Sequence, residues 1–231
     1  MTFATLVYAF LGGLLPSLIW LYFLLKEDAR HPEPKRLIIA AFIAGMVAVP
    51  LALPFEQYAR GNLADPSSVI IAWALIEEAL KYAVAAICIL WRPAVDEAPD
   101  YIIYMVTVAL GFASAENMLF LLDPFSTGQF AASLFTGNVR FLGSTLLHVV
   151  ASAAVGFAFA FSVKYSSLAR MLAAAAGLIL AVVLHTAFNA LIIKQGTSTA
   201  IAFFLVWMVA VIFFAAFEVL KYFQYHTLSK R

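Results

Sequence analysis

The sequence predicts an all-α fold, a polytopic membrane helix bundle with about seven transmembrane helices, on three observations. Of the 231 residues, 65% are hydrophobic and 12% charged, too few polar groups to cover the surface of a water-soluble fold. The apolar residues fall into stretches of roughly 20, the length that a hydrocarbon core of ~30 Å demands. None of these stretches alternates like a barrel strand, and backbone amides in lipid are then satisfied only within helices.

Read between polar punctuation, the segments lie at about 4 to 25, 37 to 55, 68 to 90, 101 to 122, 141 to 163, 171 to 193 and 199 to 220. The first, beginning MTFATLVYAF, lacks a positively charged flank and runs uncharged to Leu25, so it reads as a spanning helix and not as a cleaved leader. The apolar stretch from Phe130 to Phe135 is too short to cross, which makes the region from Asp123 to Arg140 a loop with an interfacial or re-entrant piece. Between the first two segments, EDARHPEPKR holds Pro32 and Pro34; it reads as an extended spacer, with His31 solvated. All loops are short, and residues 1–231 read as a single transmembrane domain. Cys88, the one cysteine, can form no internal disulfide.

Lysine and arginine set the expected orientation. With the N-terminus outside, the cytoplasmic side collects Lys26, Arg30, Lys35, Arg36, Arg92, Lys164, Arg170, Lys221, Lys230 and Arg231, and the other side keeps Arg60, Arg140 and Lys194. The C-terminus is thus expected in the cytoplasm of a multi-pass cell-membrane protein. A net charge of +1 supplies no basic stripe, so nucleic acid is excluded as a partner. The lipid bilayer is the partner that composition requires.

Four segments carry ionisable groups where each costs at least ~2.5 kcal/mol. Glu77, Glu78 and Lys81 stand in LIEEALKY, Glu116 with Asn117 in GFASAENMLF, His148 in the fifth segment, and His185 with Asn189 in the sixth. At the helical rise, Glu77 lies ~14 Å, Glu116 ~9 Å, His148 ~10 Å and His185 ~12 Å from the outer end of its segment. The four groups therefore meet at similar depth, nearer the extracytoplasmic face. Stripes at every fourth residue, Ser144, His148, Ser152 and Gly156 in one segment and Gly177, Ala181, His185 and Asn189 in the next, suit close helix approach with shared hydrogen bonds.

Buried carboxylates, two imidazoles and a carboxamide suit amide hydrolysis by an activated water. Two neutral imidazoles plus a carboxylate also form a catalytic zinc set. His148, His185 and a carboxylate, Glu116 before Glu78, are the expected ligands of a divalent metal, with zinc the expected identity. The signature H-E-x-x-H is absent, so such a site must be assembled across helices.

The pattern Glu77-Glu78-x-x-Lys81, Phe112-x-x-x-Glu116-Asn117, His148 and His185-x-x-x-Asn189 resembles the PrsW family of membrane proteases. That family is itself similar to the CAAX-prenyl endopeptidase and bacteriocin-immunity group. The proline-flanked Glu33 in HPEP also resembles a PrsW feature, and the likeness covers about residues 27 to 190. It implies an intramembrane endopeptidase with Glu77, or failing that Glu78, as the base acting on water, and with His185 and Asn189 facing the substrate carbonyl or a metal. It also implies a membrane-anchored protein substrate such as an anti-sigma factor. Glu116 stands where the wider group has histidine, which leaves a metal-free mechanism open beside the metal one. A proton- or ion-coupled transporter is the alternative from another class, against which stand the absence of repeated halves and of paired broken segments.

Overall fold

The computed structural model describes residues 2–129 and 140–228. Among these it contains seven helices and no strand: α1 (Phe3–Glu27), α2 (Lys35–Asn62), α3 (Pro66–Cys88), α4 (Ala98–Ser126), α5 (Thr145–Ser162), α6 (Ser167–Lys194) and α7 (Thr197–Leu228). A π-helical turn at Arg140–Ser144 leads into α5. The expected interfacial piece at 130–135 lies outside the described residues. Six helices are long and apolar enough to cross a membrane. The seventh, α3, has 23 residues and differs by carrying Glu77, Glu78 and Lys81 together.

Helix starts follow from local chemistry. Asp65 caps α3 by accepting from the Ser68 amide at 3.0 Å, with Pro66 at the first helical position, where its missing N–H costs nothing. Asp100 accepts from the Asp96 and Glu97 amides at the start of α4, and Ser166 caps α6. α2 outruns its expected end at residue 55 and continues to Asn62. Pro50 and Pro54 do not stop it, because helices in a membrane bundle tolerate proline where neighbours re-satisfy the backbone.

α4 is the central post, buried on every side from Ala98 to Ser114. Glycine makes this possible. A Cβ on Gly45 of α2 would strike the Val108 carbonyl, and one on Gly111 of α4 would strike the Phe42 carbonyl, so α2 and α4 cross backbone against backbone. Gly13 of α1 approaches the Ser114 carbonyl in the same way, and Gly156 of α5 approaches the Ile102 backbone. Small residues replace side-chain interdigitation where lipid gives no hydrophobic drive. α5 forms the second buried post, and α1, α2, α3, α6 and α7 surround the pair with Phe23, Ile39, Ile71, Ile179 and Phe214 exposed outward, as lipid-facing helices require.

The connection from α1 to α2 is more than the expected extended spacer, although its His31 is exposed as expected. Asp28 is buried, Glu33 accepts a hydrogen bond from the Tyr104 hydroxyl, and His31 Nδ1 lies 3.3 Å from Glu97. The prolines keep the segment out of a helix, yet the polar start of α4 draws its acids inward.

Candidate functional site

α3, α4, α5 and α6 bring Glu77, Glu78, Lys81, Glu116, His148 and His185 into one cluster. Glu78, Lys81, His148 and His185 are almost fully buried and Glu77 is 6% exposed; Glu116 is half-buried. The helical spacing of Glu77, Glu78 and Lys81 puts all three on the inner face of α3, since positions three and four apart are neighbours. Lys81 Nζ lies 2.7 Å from Glu78 Oε1 and 3.6 Å from Glu77 Oε2. It also stands 4.1 Å over the Phe112 ring, an arrangement that partly repays desolvation of the ammonium. One lysine thus faces two carboxylates.

The imidazoles are held from behind. His185 Nδ1 is 2.8 Å from Glu78 Oε1; the ring donates there, and its Nε2 lies 3.9 Å from Glu77 Oε2. His148 Nε2 is 3.0 Å from Glu116 Oε2, and its Nδ1 is 2.7 Å from Lys81 Nζ. An ammonium only donates, so with Lys81 charged His148 is neutral, with its proton on the nitrogen facing Glu116. Ser152 reaches Glu78 Oε2 only at 3.5 Å.

Glu77, His148 and His185 each bring one ligand atom within 4.8 Å of the others. Glu77 Oε2 is buried and has no hydrogen-bond partner, with His148 Nδ1 4.0 Å and His185 Nε2 3.9 Å away. Ligand atoms around one tetrahedral zinc, each at ~2.0–2.2 Å, lie roughly 3.4 Å apart, so the three can close on such an ion by side-chain shifts of about half an ångström, once Lys81 gives up His148 Nδ1. Their other nitrogens already rest on carboxylates, Glu78 behind His185 and Glu116 behind His148, as metal-binding imidazoles require. The carboxylate in the ring is therefore Glu77. Glu116, expected there from depth alone, lies on the far side of His148, and Glu78 has its Oε1 engaged by both Lys81 and His185.

Asn189 sits half-buried one turn beyond His185 and makes no side-chain hydrogen bond among the described residues. Two residues escaped the sequence reading. Phe112 was part of a recognised pattern, but its position under Lys81 was not foreseen. Glu56 falls just past the expected end of the second segment; it lies on α2, half-buried and within electrostatic reach of Glu116, Lys81 and His185. Its backbone carbonyl accepts from Trp73 Nε1 at 3.0 Å, which ties α2 to α3 beside the cluster. No signal in the sequence sets Glu56 apart from a loop acid.

Known proteins resemble this chain. The family described as "PrsW family intramembrane metalloprotease" matches residues 33–217, which include every residue of the cluster. Protease PrsW of Geobacillus kaustophilus is 30% identical over 152 residues, 64% of this chain and 64% of the relative. Protease PrsW of Oceanobacillus iheyensis is 36% identical over 115 residues, 48% and 53% of the two chains. Protease PrsW of Bacillus subtilis is 30% identical over 115 residues, 48% and 52%. The chain spans less than two thirds of the length of these curated relatives. No solved structure matches it. A buried cluster of acids and imidazoles on four membrane helices and a match across most of the chain lead to one assignment: this multi-pass membrane protein belongs to the PrsW family of intramembrane metalloproteases.

Proposed function

We propose that this chain is an intramembrane endopeptidase that hydrolyses a peptide bond of a membrane-anchored protein, with water activated at Glu77. The observation that carries the reading is the orphaned Oε2 of Glu77, a buried carboxylate oxygen with no hydrogen-bond partner, facing two imidazoles. No hydrogen bond occupies this oxygen, and Lys81 reaches it only at 3.6 Å, so a water placed against it can give up a proton there. Glu78 serves the reaction indirectly by fixing His185. Asn189 offers an amide donor to the substrate carbonyl at the less buried side of the cluster.

Glu77, His148 and His185 are the residues that would hold a divalent cation, and their nitrogen and oxygen donors favour zinc. When bound, it supplies Lewis-acid polarisation and lowers the pKa of water. Glu77 is then its oxygen ligand; without it, Glu77 is itself the base. Lys81 on His148 Nδ1 is the contact that favours the metal-free arrangement.

The lysine and arginine asymmetry supports a cytoplasmic C-terminus, which puts the cluster nearer the extracytoplasmic face. An anti-sigma-factor-like regulator anchored in the membrane is the kind of substrate this placement suits. The test uses purified protein, a labelled membrane-anchored peptide, Glu77→Gln and a chelator. Glu77→Gln should fold and lose roughly 10²-fold or more in turnover; normal cleavage by it would reject the reading. Loss of activity and of bound zinc on chelation, reversed by zinc, supports the metal arrangement, while a metal-free and fully active preparation removes the metal and leaves Glu77 as base. A transporter instead would bind a solute and yield no cleaved product.

A further inference from the structure

A second polar cluster lies at the opposite end of the bundle, where α1 ends and α2 and α4 begin. Asp28 and Asp100 are 2% and 1% exposed. The Glu33 and Asp100 carboxyls are within hydrogen-bond reach of each other, and Glu33 also accepts from the Tyr104 hydroxyl. Asp100 Oδ2 receives the Asp96 and Glu97 amides at 3.0 and 2.8 Å. Asp28 Oδ2 is buried without a hydrogen-bond partner, and the carboxyls of Asp100 and Glu97 act on it electrostatically.

His31 and Lys221 pair with other acids, although Lys221 still acts on Asp28 from a distance. His31 Nδ1 is on Glu97, and Lys221 Nζ lies 2.6 Å from Glu218 and 3.4 Å from Glu27. Among the described residues no lysine, arginine or histidine comes within salt-bridge distance of Asp28, Glu33 or Asp100. Two buried acids and a half-buried one in one place, Glu33 and Asp100 within hydrogen-bond reach and Asp28 with an open oxygen, call for a positive charge.

We propose that Asp28, Glu33 and Asp100 form a cation site that takes a hydrated Mg²⁺. Carboxylate oxygens are hard donors, suited to magnesium or calcium and not to zinc. Among the described residues only the Glu77 group brings three ligand atoms within 4.8 Å of one another, so the acidic trio does not form a closed cage of protein ligands. Calcium asks for six to eight oxygens around it, whereas Mg²⁺ keeps several waters and binds through one or two carboxylates. The bound ion ties the α1–α2 connection to the start of α4. This inference is independent of the proposed proteolysis.

Calorimetry with MgCl₂ on the full chain in detergent, at pH 8, free of other divalent ions and at constant ionic strength, tests it. One saturable event that raises the thermal midpoint is expected, at least tenfold weaker in Glu33→Gln and in Asp28→Asn and within twofold of wild type in His185→Ala. Hydrogen exchange on the wild-type chain gives a second readout that needs no variant: Mg²⁺ should protect residues 28–33 and 96–104. Absence of a saturable event, equal binding by both carboxamide variants, protection confined elsewhere, or loss of the event in His185→Ala would each overturn the site. So would stabilisation by acid with none by Mg²⁺.

Discussion

The Nδ1 atom of His185 lies 2.8 Å from Glu78 Oε1, the same oxygen that Lys81 Nζ approaches to 2.7 Å. One carboxylate oxygen therefore sets the direction of an imidazole and neutralises a buried ammonium at once. The two consecutive glutamates of α3 have divided tasks: Glu78 is enclosed by protein groups, and Glu77 keeps an oxygen open.

That division makes the two glutamine variants differ. Glu77→Gln removes a carboxylate whose Oε2 accepts no hydrogen bond and which Lys81 meets only at 3.6 Å, so thermal stability should hold or rise while cleavage falls. Glu78→Gln leaves Lys81 buried with a weakened partner and should cost about 3–5 kcal/mol. Adding Lys81→Met to Glu78→Gln should return most of that stability, since replacing both members of a buried pair is close to neutral, but should not return activity, because His185 is still unoriented. Thermal midpoints and single-turnover cleavage of the three variants check this; equal loss of stability in Glu77→Gln and Glu78→Gln would contradict it.

Seven helices were legible because hydropathy and charge placement report on lipid directly, and a shared depth for Glu77, Glu116, His148 and His185 follows from counting residues along helices. Depth does not report azimuth. Glu116 and Glu77 are equally good oxygen donors by depth, and only the rotation of α3 and α4 about their axes puts Glu77 between the imidazoles and Glu116 behind one of them. Glu56 was hidden because reading segments between polar residues ends this one at 55, just before the acid, whereas α2 runs on to Asn62. Asp28 and Glu33 looked solvated because sequence alone does not show that α4 begins beside them.

The crossing of α2 and α4 should tolerate no added methyl. Gly45→Ala and Gly111→Ala each drive a Cβ into a backbone carbonyl of the other helix, and backbone cannot swing aside as a side chain can. Each should cost about 3 kcal/mol, the upper part of the overpacking range. Gly61, late in α2, has open space around its Cβ position, so Gly61→Ala should be neutral or stabilising by up to about 1 kcal/mol through helix propensity. Thermal unfolding in detergent, compared across the three, measures it. A Gly45→Ala protein as stable as Gly61→Ala would mean that the helices do not cross this closely.

Asp28 gives the fold a pH dependence whose sign can be worked out. Burial first, then the negative Asp100 and Glu97, push its carboxyl up to about 7 from the usual range near 4, against opposing contributions from Lys221 and the Glu33 amide. An acid whose folded pKa is raised binds more protons folded than unfolded between those two values, so its effect on stability falls as pH rises from about 4 to about 7 and stays at its lowest above 7. Asp28→Asn keeps the acceptor for the Glu33 amide and removes the titration. In magnesium-free buffer the variant should therefore match wild type near pH 4 and exceed it at pH 8, with a flatter profile between. Thermal midpoints across pH 4 to 8 decide it: a variant less stable than wild type at pH 8 would show that the Asp28 charge is compensated by a group already in the chain.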